Sequence, residues 1–312
     1  MLFGVFCLFS VSVTNALPFS EMYVFGDSLS DNGNAFVLSG GGISTPPYNP
    51  IPSLPYPSGR FSDGPVAAEL VAQELGLSLA PRALGGTNYA LGGAETGPLS
   101  GPGLLSLLDQ VSLFQADHPY GAPGDALYWI WGGGNDLRTG SAAAAVDAVS
   151  NLSNIVVDLY NSGARHFVVA NAPDLGMTPE AMYGGVSTQA TELSAFFNSQ
   201  LDAALSHLAM NLAIDVMTLD VFGLMHQIAA DPATYGITEL TTPCLNFGVS
   251  DPAAAQCSNP DEYLFWDAIH PTSAAHRLVA EAVLHSVPEP SAFALMLAGL
   301  VALGWRFRTT RQ

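Results

Sequence analysis

The chain of 312 residues contains no lysine; its eight basic residues are all arginines, set against 27 aspartates and glutamates. Between Leu17 and Ser286 the imbalance is five arginines to 26 acidic residues, a net charge of −21. A surface of that sign repels phosphate backbones and anionic lipid headgroups, which excludes a nucleic-acid partner. The acidity itself speaks to solubility and salt tolerance, not to chemistry. Charged residues are scarce at 11% and hydrophobic ones make up 49%, so the chain is no disordered polyelectrolyte and can fill one large core. Internal repeats, metal-ligand clusters and phosphate-cradling loops are also missing. The run Gly132 to Gly134 is followed by Asn135-Asp136 and not by a further spaced glycine, so it is no dinucleotide fingerprint. Neither a metal nor an organic cofactor is expected.

Both ends read as targeting segments and not as fold. Met1 to Ala16 is apolar and closes on Thr14-Asn15-Ala16, as a secretory signal peptide does; without a basic residue near its start, a buried first strand or a misassigned start remains the other reading. At the far end Val287-Pro288-Glu289-Pro290-Ser291 leads into apolar Ala292 to Trp305 and then Arg306-Phe307-Arg308. A bilayer helix wants ~20 apolar residues, and this stretch is shorter, though Trp305 and the arginines extend it by snorkelling. The three-part tail resembles the PEP-CTERM sorting signal of Gram-negative bacteria. That resemblance implies export, transient inner-membrane contact, an exosortase-type processing enzyme as partner and delivery to the cell surface or extracellular matrix, with a permanent anchor as the second reading. The expected organisation is 1–16 signal peptide, 17–286 one globular domain and 287–312 sorting tail. With Cys7 inside the leader, Cys244 and Cys257 are the only pair in the mature chain. They form a poor metal site but a natural disulfide in an oxidising compartment, free thiols being the alternative.

Four continuous apolar runs read as buried strands: Glu21 to Phe25, Ala126 to Trp131, His166 to Asn171 and Ile214 to Leu219. Helical patterns cover Pro65 to Leu75, Ala142 to Tyr160, Thr188 to Ala209 and Ser273 to His285, while Gly40 to Gly64 is a Gly/Pro/Ser-rich loop. Apolar strands alternating with helices predict an α/β fold, a three-layer αβα sandwich around a mostly parallel sheet. Ligands of such sheets bind beyond the carboxyl ends of the strands, where Ser28, Asn135 and Asn171 all fall.

The chemistry-bearing residues stand in Phe25-Gly26-Asp27-Ser28-Leu29-Ser30-Asp31-Asn32-Gly33, in Gly132-Gly133-Gly134-Asn135-Asp136 and in Asp267-Ala268-Ile269-His270-Pro271-Thr272. A serine, an amide side chain and a close Asp/His pair are the ingredients of acyl transfer. Each alone has an ordinary reading: Ser28 as a turn residue, Asn135 as a helix cap, His270 as the start of a helix. Together with Asn88-Tyr89-Ala90-Leu91-Gly92-Gly93-Ala94, the ordered blocks are similar to those of the GDSL (SGNH) lipase/esterase family, over about residues 22 to 286. Ser58 through Pro65 and Asn171 through Gly176 also resemble stretches of its larger members.

The resemblance implies a flavodoxin-like fold and a secreted serine esterase or lipase acting on carboxylic esters, whether simple acyl esters, lipids or acylated glycans. It makes Ser28 the nucleophile, His270 the base and Asp267 the residue that orients it. The Ser28 and Gly93 backbone N–H groups and the Asn135 amide become the oxyanion donors, with Gly92 as the alternative to Gly93. Asp27 and Asp136, beside the site, are assigned to structural hydrogen bonds, and Asp31 and Asn32 to shaping the turn after Ser28. Aromatic residues between Tyr48 and Phe61, and Phe247, line an acyl groove or simply pack. An acyltransferase, a polysaccharide de-acetylase or a non-catalytic matrix protein on the same scaffold are the competing functions. No Gly-x-Ser-x-Gly surrounds Ser28, so this is not a nucleophile elbow.

Overall fold

A computed structural model describes residues 19–40, 56, 59–98, 105–245 and 256–286. The expected signal peptide, the sorting tail, Phe247 and most of the loop from 41 to 58 lie outside the described residues.

Four strands, β1 (Met22–Gly26), β2 (Leu127–Trp131), β3 (His166–Ala170) and β4 (Asp215–Leu219), form one parallel sheet in the order β1-β2-β3-β4. Every residue of β1 and β2 is buried, which is why these strands read as unbroken apolar runs and not as alternating ones. Beside β1, on the edge away from β2, the segment 87–91 runs parallel and bonds to it: Thr87 O accepts from Val24 N at 3.2 Å, and Tyr89 N and Leu91 N donate to Val24 O and Gly26 O at 2.8 and 3.1 Å. The chain therefore leaves β1 to one side and returns on the other for β2. That reversal opens a crevice beyond the carboxyl end of β1, where Ser28 follows.

The helices are α1 (Asn34–Leu38), α2 (Ala67–Glu74), α3 (Leu107–Asp117), α4 (Gly134–Leu137), α5 (Ala142–Ser162), α6 (Pro179–Tyr183), α7 (Ser187–Asn211), α8 (Val221–Ala230) and α9 (Ser273–Ser286). Tyr23, Phe25, Tyr128, Ile130, Phe167 and Val169 point from one sheet face into a core with α3, α5 and α7. Alternate strand residues face the other way; there α2 and α9 pack together, and His276 of α9 meets the Trp131 ring edge-on at 6.4 Å. The result is the expected three-layer sandwich. Each large side chain so buried contributes roughly 1.5–3 kcal/mol. Among the described residues α5 alone is long and apolar enough to cross a bilayer, but Leu152, Ile155, Val156 and Leu159 of its inner face belong to this core.

The short helices that the composition did not announce carry local signals of their own. Ser106 accepts from Asp109 N at the start of α3, and the Asp109 carboxylate returns the bond to Ser106 N, a capping box legible in Ser106-x-x-Asp109. Asp220 caps α8 in the same way through Gly223 N. Cys244 and Cys257 are joined as a disulfide, S–S 1.98 Å, in the segment that hydrogen-bonds to Phe265 and Trp266.

Candidate active site

Residues 27–31 form a tight turn directly after β1. Asp27 O accepts from Ser30 N and Asp31 N, and Asp27 Oδ1 accepts from Leu29 N at 2.9 Å. The end of β1 is clamped by Gln110 of α3, whose amide bonds both Gly26 N (2.9 Å) and Gly26 O (2.8 Å). The Trp129 indole N–H donates to Ser30 Oγ at 3.1 Å, tying the turn to the sheet. With its neighbours' amides so committed, the Ser28 backbone N–H is left without an acceptor among the described residues.

The segment preceding α9 carries the other half. Trp266 N donates to His270 O at 2.8 Å, which folds residues 266–270 into a closed loop. Asp267 Oδ1 accepts from Ile269 N at 2.9 Å and His270 N at 2.7 Å, and Oδ2 lies 2.7 Å from His270 Nδ1. With Nδ1–H given to the carboxylate, Nε2 is the acceptor nitrogen, and it lies 2.9 Å from Ser28 Oγ. Burial works against charge on Asp267, but His270, the Ile269 amide and a tyrosine hydroxyl hold its carboxyl below the usual carboxylate range. The Phe61 ring covers the imidazole at 5.2 Å.

Asn135 lies in the first turn of α4 and lines the same cleft as Ser28 and His270. Gly133 precedes it with φ 105°, a left-handed conformation that glycine adopts without strain. One hydrogen of the Asn135 amide is used on Ala94 O at 2.9 Å, which leaves the second for a ligand. Asp136 fastens the same two segments by accepting from Thr96 N at 3.0 Å and Thr96 Oγ1 at 2.7 Å. The two glycines offered for that donor differ: Gly92 N donates to Asp31 Oδ2 at 2.9 Å, whereas the Gly93 N–H meets no acceptor among the described residues. Gly93 sits at φ 80°, again in the left-handed region.

Ser28, Asn135 and His270 open onto a cleft of about 730 Å³. Its walls are aliphatic, with Leu29, Leu137, Pro173, Leu175, Val186 and Leu193, and an Arg138–Glu180 ion pair spans its rim. Of the loop aromatics, for which a groove lining or simple packing was open, the two that are described pack: Tyr56 bonds Asp267 and the Phe61 ring lies against His270. Asn171 also serves structure: its carboxamide oxygen accepts from Val221 N and Phe222 N, and its N–H donates to Asp220. Among the described residues no cluster of three or more ligating side chains could hold a metal.

A family model described as GDSL-like Lipase/Acylhydrolase matches residues 22–283. The chain belongs to that family, and so to the hydrolases of ester bonds. A second match, the PEP-CTERM protein-sorting motif, covers residues 286–312 and marks the chain for export. A GDSL esterase/lipase of Arabidopsis thaliana is 28% identical over 83% of this chain and 80% of its own length. Esterase EstA of Pseudomonas aeruginosa is 30% identical over 85% of this chain but only 46% of its own. Lipase 1 of Photorhabdus luminescens is 27% identical over 89% and 52%. The chain thus spans about half the length of these two bacterial relatives. Among solved structures, a native M. smegmatis aryl esterase aligns with a TM-score of 0.48 at 16% identity, covering 86% of this chain and 97% of that one.

Three supporting residues went unread in the sequence. Asp31, expected only to shape its turn, also reaches Gly92 N and so sets which glycine amide stays free. Gln110 and Tyr56 carried no motif. Gln110 occupies a buried position on α3, where its spacing is that of a core residue. Tyr56 stands in a Pro-rich loop without periodicity.

Proposed function

We propose that this chain is an exported serine esterase that cleaves carboxylic esters through a covalent acyl-enzyme. The observation that carries the reading is the continuous chain of hydrogen bonds from Ser28 Oγ to His270 Nε2 and from His270 Nδ1 to Asp267. Ser28 Oγ attacks the ester carbonyl carbon as its proton passes to His270 Nε2; Asp267 keeps the ring in the tautomer that accepts it and stabilises the imidazolium. Negative charge then develops on the former carbonyl oxygen. The unpaired N–H groups of Ser28 and Gly93 and the free hydrogen of the Asn135 amide suit that oxyanion, each such donor contributing ~3 kcal/mol in well-formed sites. His270 returns the proton to the departing alkoxide, the alcohol leaves, and water repeats the sequence on the acyl-Ser28 ester. The aliphatic cleft favours an acyl group longer than acetyl. The sorting motif supports export from a Gram-negative cell with processing by an exosortase-type enzyme.

The test is a p-nitrophenyl ester series on the purified full chain. Butyrate and longer esters are expected to turn over with higher kcat/KM than acetate, and Ser28→Ala is expected to abolish turnover while leaving the unfolding midpoint in place. Turnover by Ser28→Ala equal to the parent's removes Ser28 from the mechanism. Glycerol added as acceptor separates hydrolysis from acyl transfer by product.

A further inference from the structure

We propose that Tyr56 is a positioning residue for this reaction, its hydroxyl locking the Asp267 carboxylate in the orientation that His270 requires. The inference rests on the Ser28–His270–Asp267 reading above. Of the hydrogen bonds that Asp267 accepts, the two on Oδ1 and the imidazole bond all come from its own loop, from residues 269 and 270. Donors on one short loop move with it and do not fix it against the rest of the molecule. The Tyr56 hydroxyl is the exception: it donates to Asp267 Oδ2 at 2.7 Å from 211 residues away in the chain. It shares that oxygen with His270 Nδ1, so rotation of the carboxylate breaks both bonds at once.

The tyrosine is itself seated firmly. Its ring stands edge-on to Trp266 at 6.3 Å and 80°, in a cluster with Leu245 and the disulfide pair Cys244 and Cys257. Leu245 N donates to Trp266 O at 2.7 Å and Cys244 N to Phe265 O at 3.0 Å, so the cross-linked segment braces the residues just before Asp267. Tyr56 is not among the residues lining the cleft, which sets it apart from groups that touch substrate. Burial and the Asp267 charge push its phenol well above the ordinary tyrosine range, so it stays a donor wherever the enzyme works.

Removing the hydroxyl gives the carboxylate freedom to turn, which lowers the fraction of His270 rings correctly aimed at Ser28. The other groups that contact the imidazole, Ser28 and the Phe61 ring, are not altered by the substitution.

Tyr56→Phe keeps the ring packing and deletes only the donor. On p-nitrophenyl butyrate its kcat is expected to fall about tenfold with KM unchanged. In an Asp267→Ala background the same substitution is expected to change kcat by less than about twofold, because the partner is gone. Equal losses in the two backgrounds, a change confined to KM, or a parent-like kcat each overturn the proposal. Parent-like kinetics of Tyr56→Phe beside an inactive Ser28→Ala would sink the role of Tyr56 alone, whereas an active Ser28→Ala would sink the triad and Tyr56 together.

Discussion

Two aspartate–histidine pairs in this molecule begin from the same chemistry and end in different environments. Asp267 and His270 lie three residues apart on one loop with side chains 5% and 11% exposed. Asp174, which follows β3, and His226 of α8 meet at 2.9 Å; the carboxylate is buried, but the imidazole is half exposed against Phe222. In the first pair the far ring nitrogen meets a serine hydroxyl. In the second, the remaining oxygen of Asp174 is spent on Gly176 N and the Thr191 hydroxyl, and no hydroxyl bonds the far nitrogen of His226 among the described residues. The Asp174 pair ties the loop after β3 to α7 and α8. An Asp–His contact is therefore only a part, and a buried third partner with nearby free N–H groups is what suits the first pair to the proposed acid–base work.

The comparison is broken most severely at His270. His270→Ala is expected to lower kcat/KM by a factor of ~10³ or more, measured with p-nitrophenyl butyrate, because Ser28 then has no base.

A second contrast concerns carboxylates. Asp27 and Asp267 are equally buried, yet Asp267 accepts from the His270 ring and the Tyr56 hydroxyl and Asp27 has no side-chain donor of comparable closeness among the described residues; burial pushes the Asp27 carboxyl up to about 7, Asp136 adding to the rise and the Leu29 N–H and His270 opposing it. An acid whose pKa is raised on folding binds its proton more tightly in the folded chain. Its contribution to stability thus falls as pH rises from the ordinary 3.8 to about 7 and is flat beyond. The midpoint of Asp27→Asn is accordingly expected to gain on the parent's across that window in thermal melts and to hold a constant offset above it. A constant offset throughout would show that Asp27 titrates normally.

The smallest effect belongs to the other pair. His226→Ala is expected to leave kcat/KM within about twofold and the unfolding free energy within ~1 kcal/mol, since the imidazole is half exposed and Asp174 keeps its bonds from Gly176 N and the Thr191 hydroxyl. A loss comparable to that of His270→Ala would erase the distinction drawn here.

Much of this was legible from residues alone. Each expected strand lies within a residue of its observed limits, because apolar runs ended by Gly26, Gly132 and the polar Asn171 and Asp220 mark a doubly covered parallel sheet locally. The site blocks were legible for a similar reason: residue types and order suffice to suggest acyl transfer. The edge segment 87–91 escaped notice as a strand because glycine pairs flank it at 85–86 and 92–93 and it pairs with β1 over only a few residues. Tyr56 and Gln110 escaped because their partners, Asp267 and Gly26, are 211 and 84 residues distant.

From the sequence by itself came the alternation of strands and helices, the acidic lysine-free surface, the sorting tail and the family, all of which depend on local pattern and composition. Only the tertiary structure decided that Ser28 and His270, 242 residues apart, come within hydrogen-bond reach, and that among the described residues Gly93 and not Gly92 keeps a free amide. It also decided which histidine of several meets a serine hydroxyl. Those outcomes turn on strand order and on contacts between distant segments, whose energies are set by geometry that no local pattern encodes.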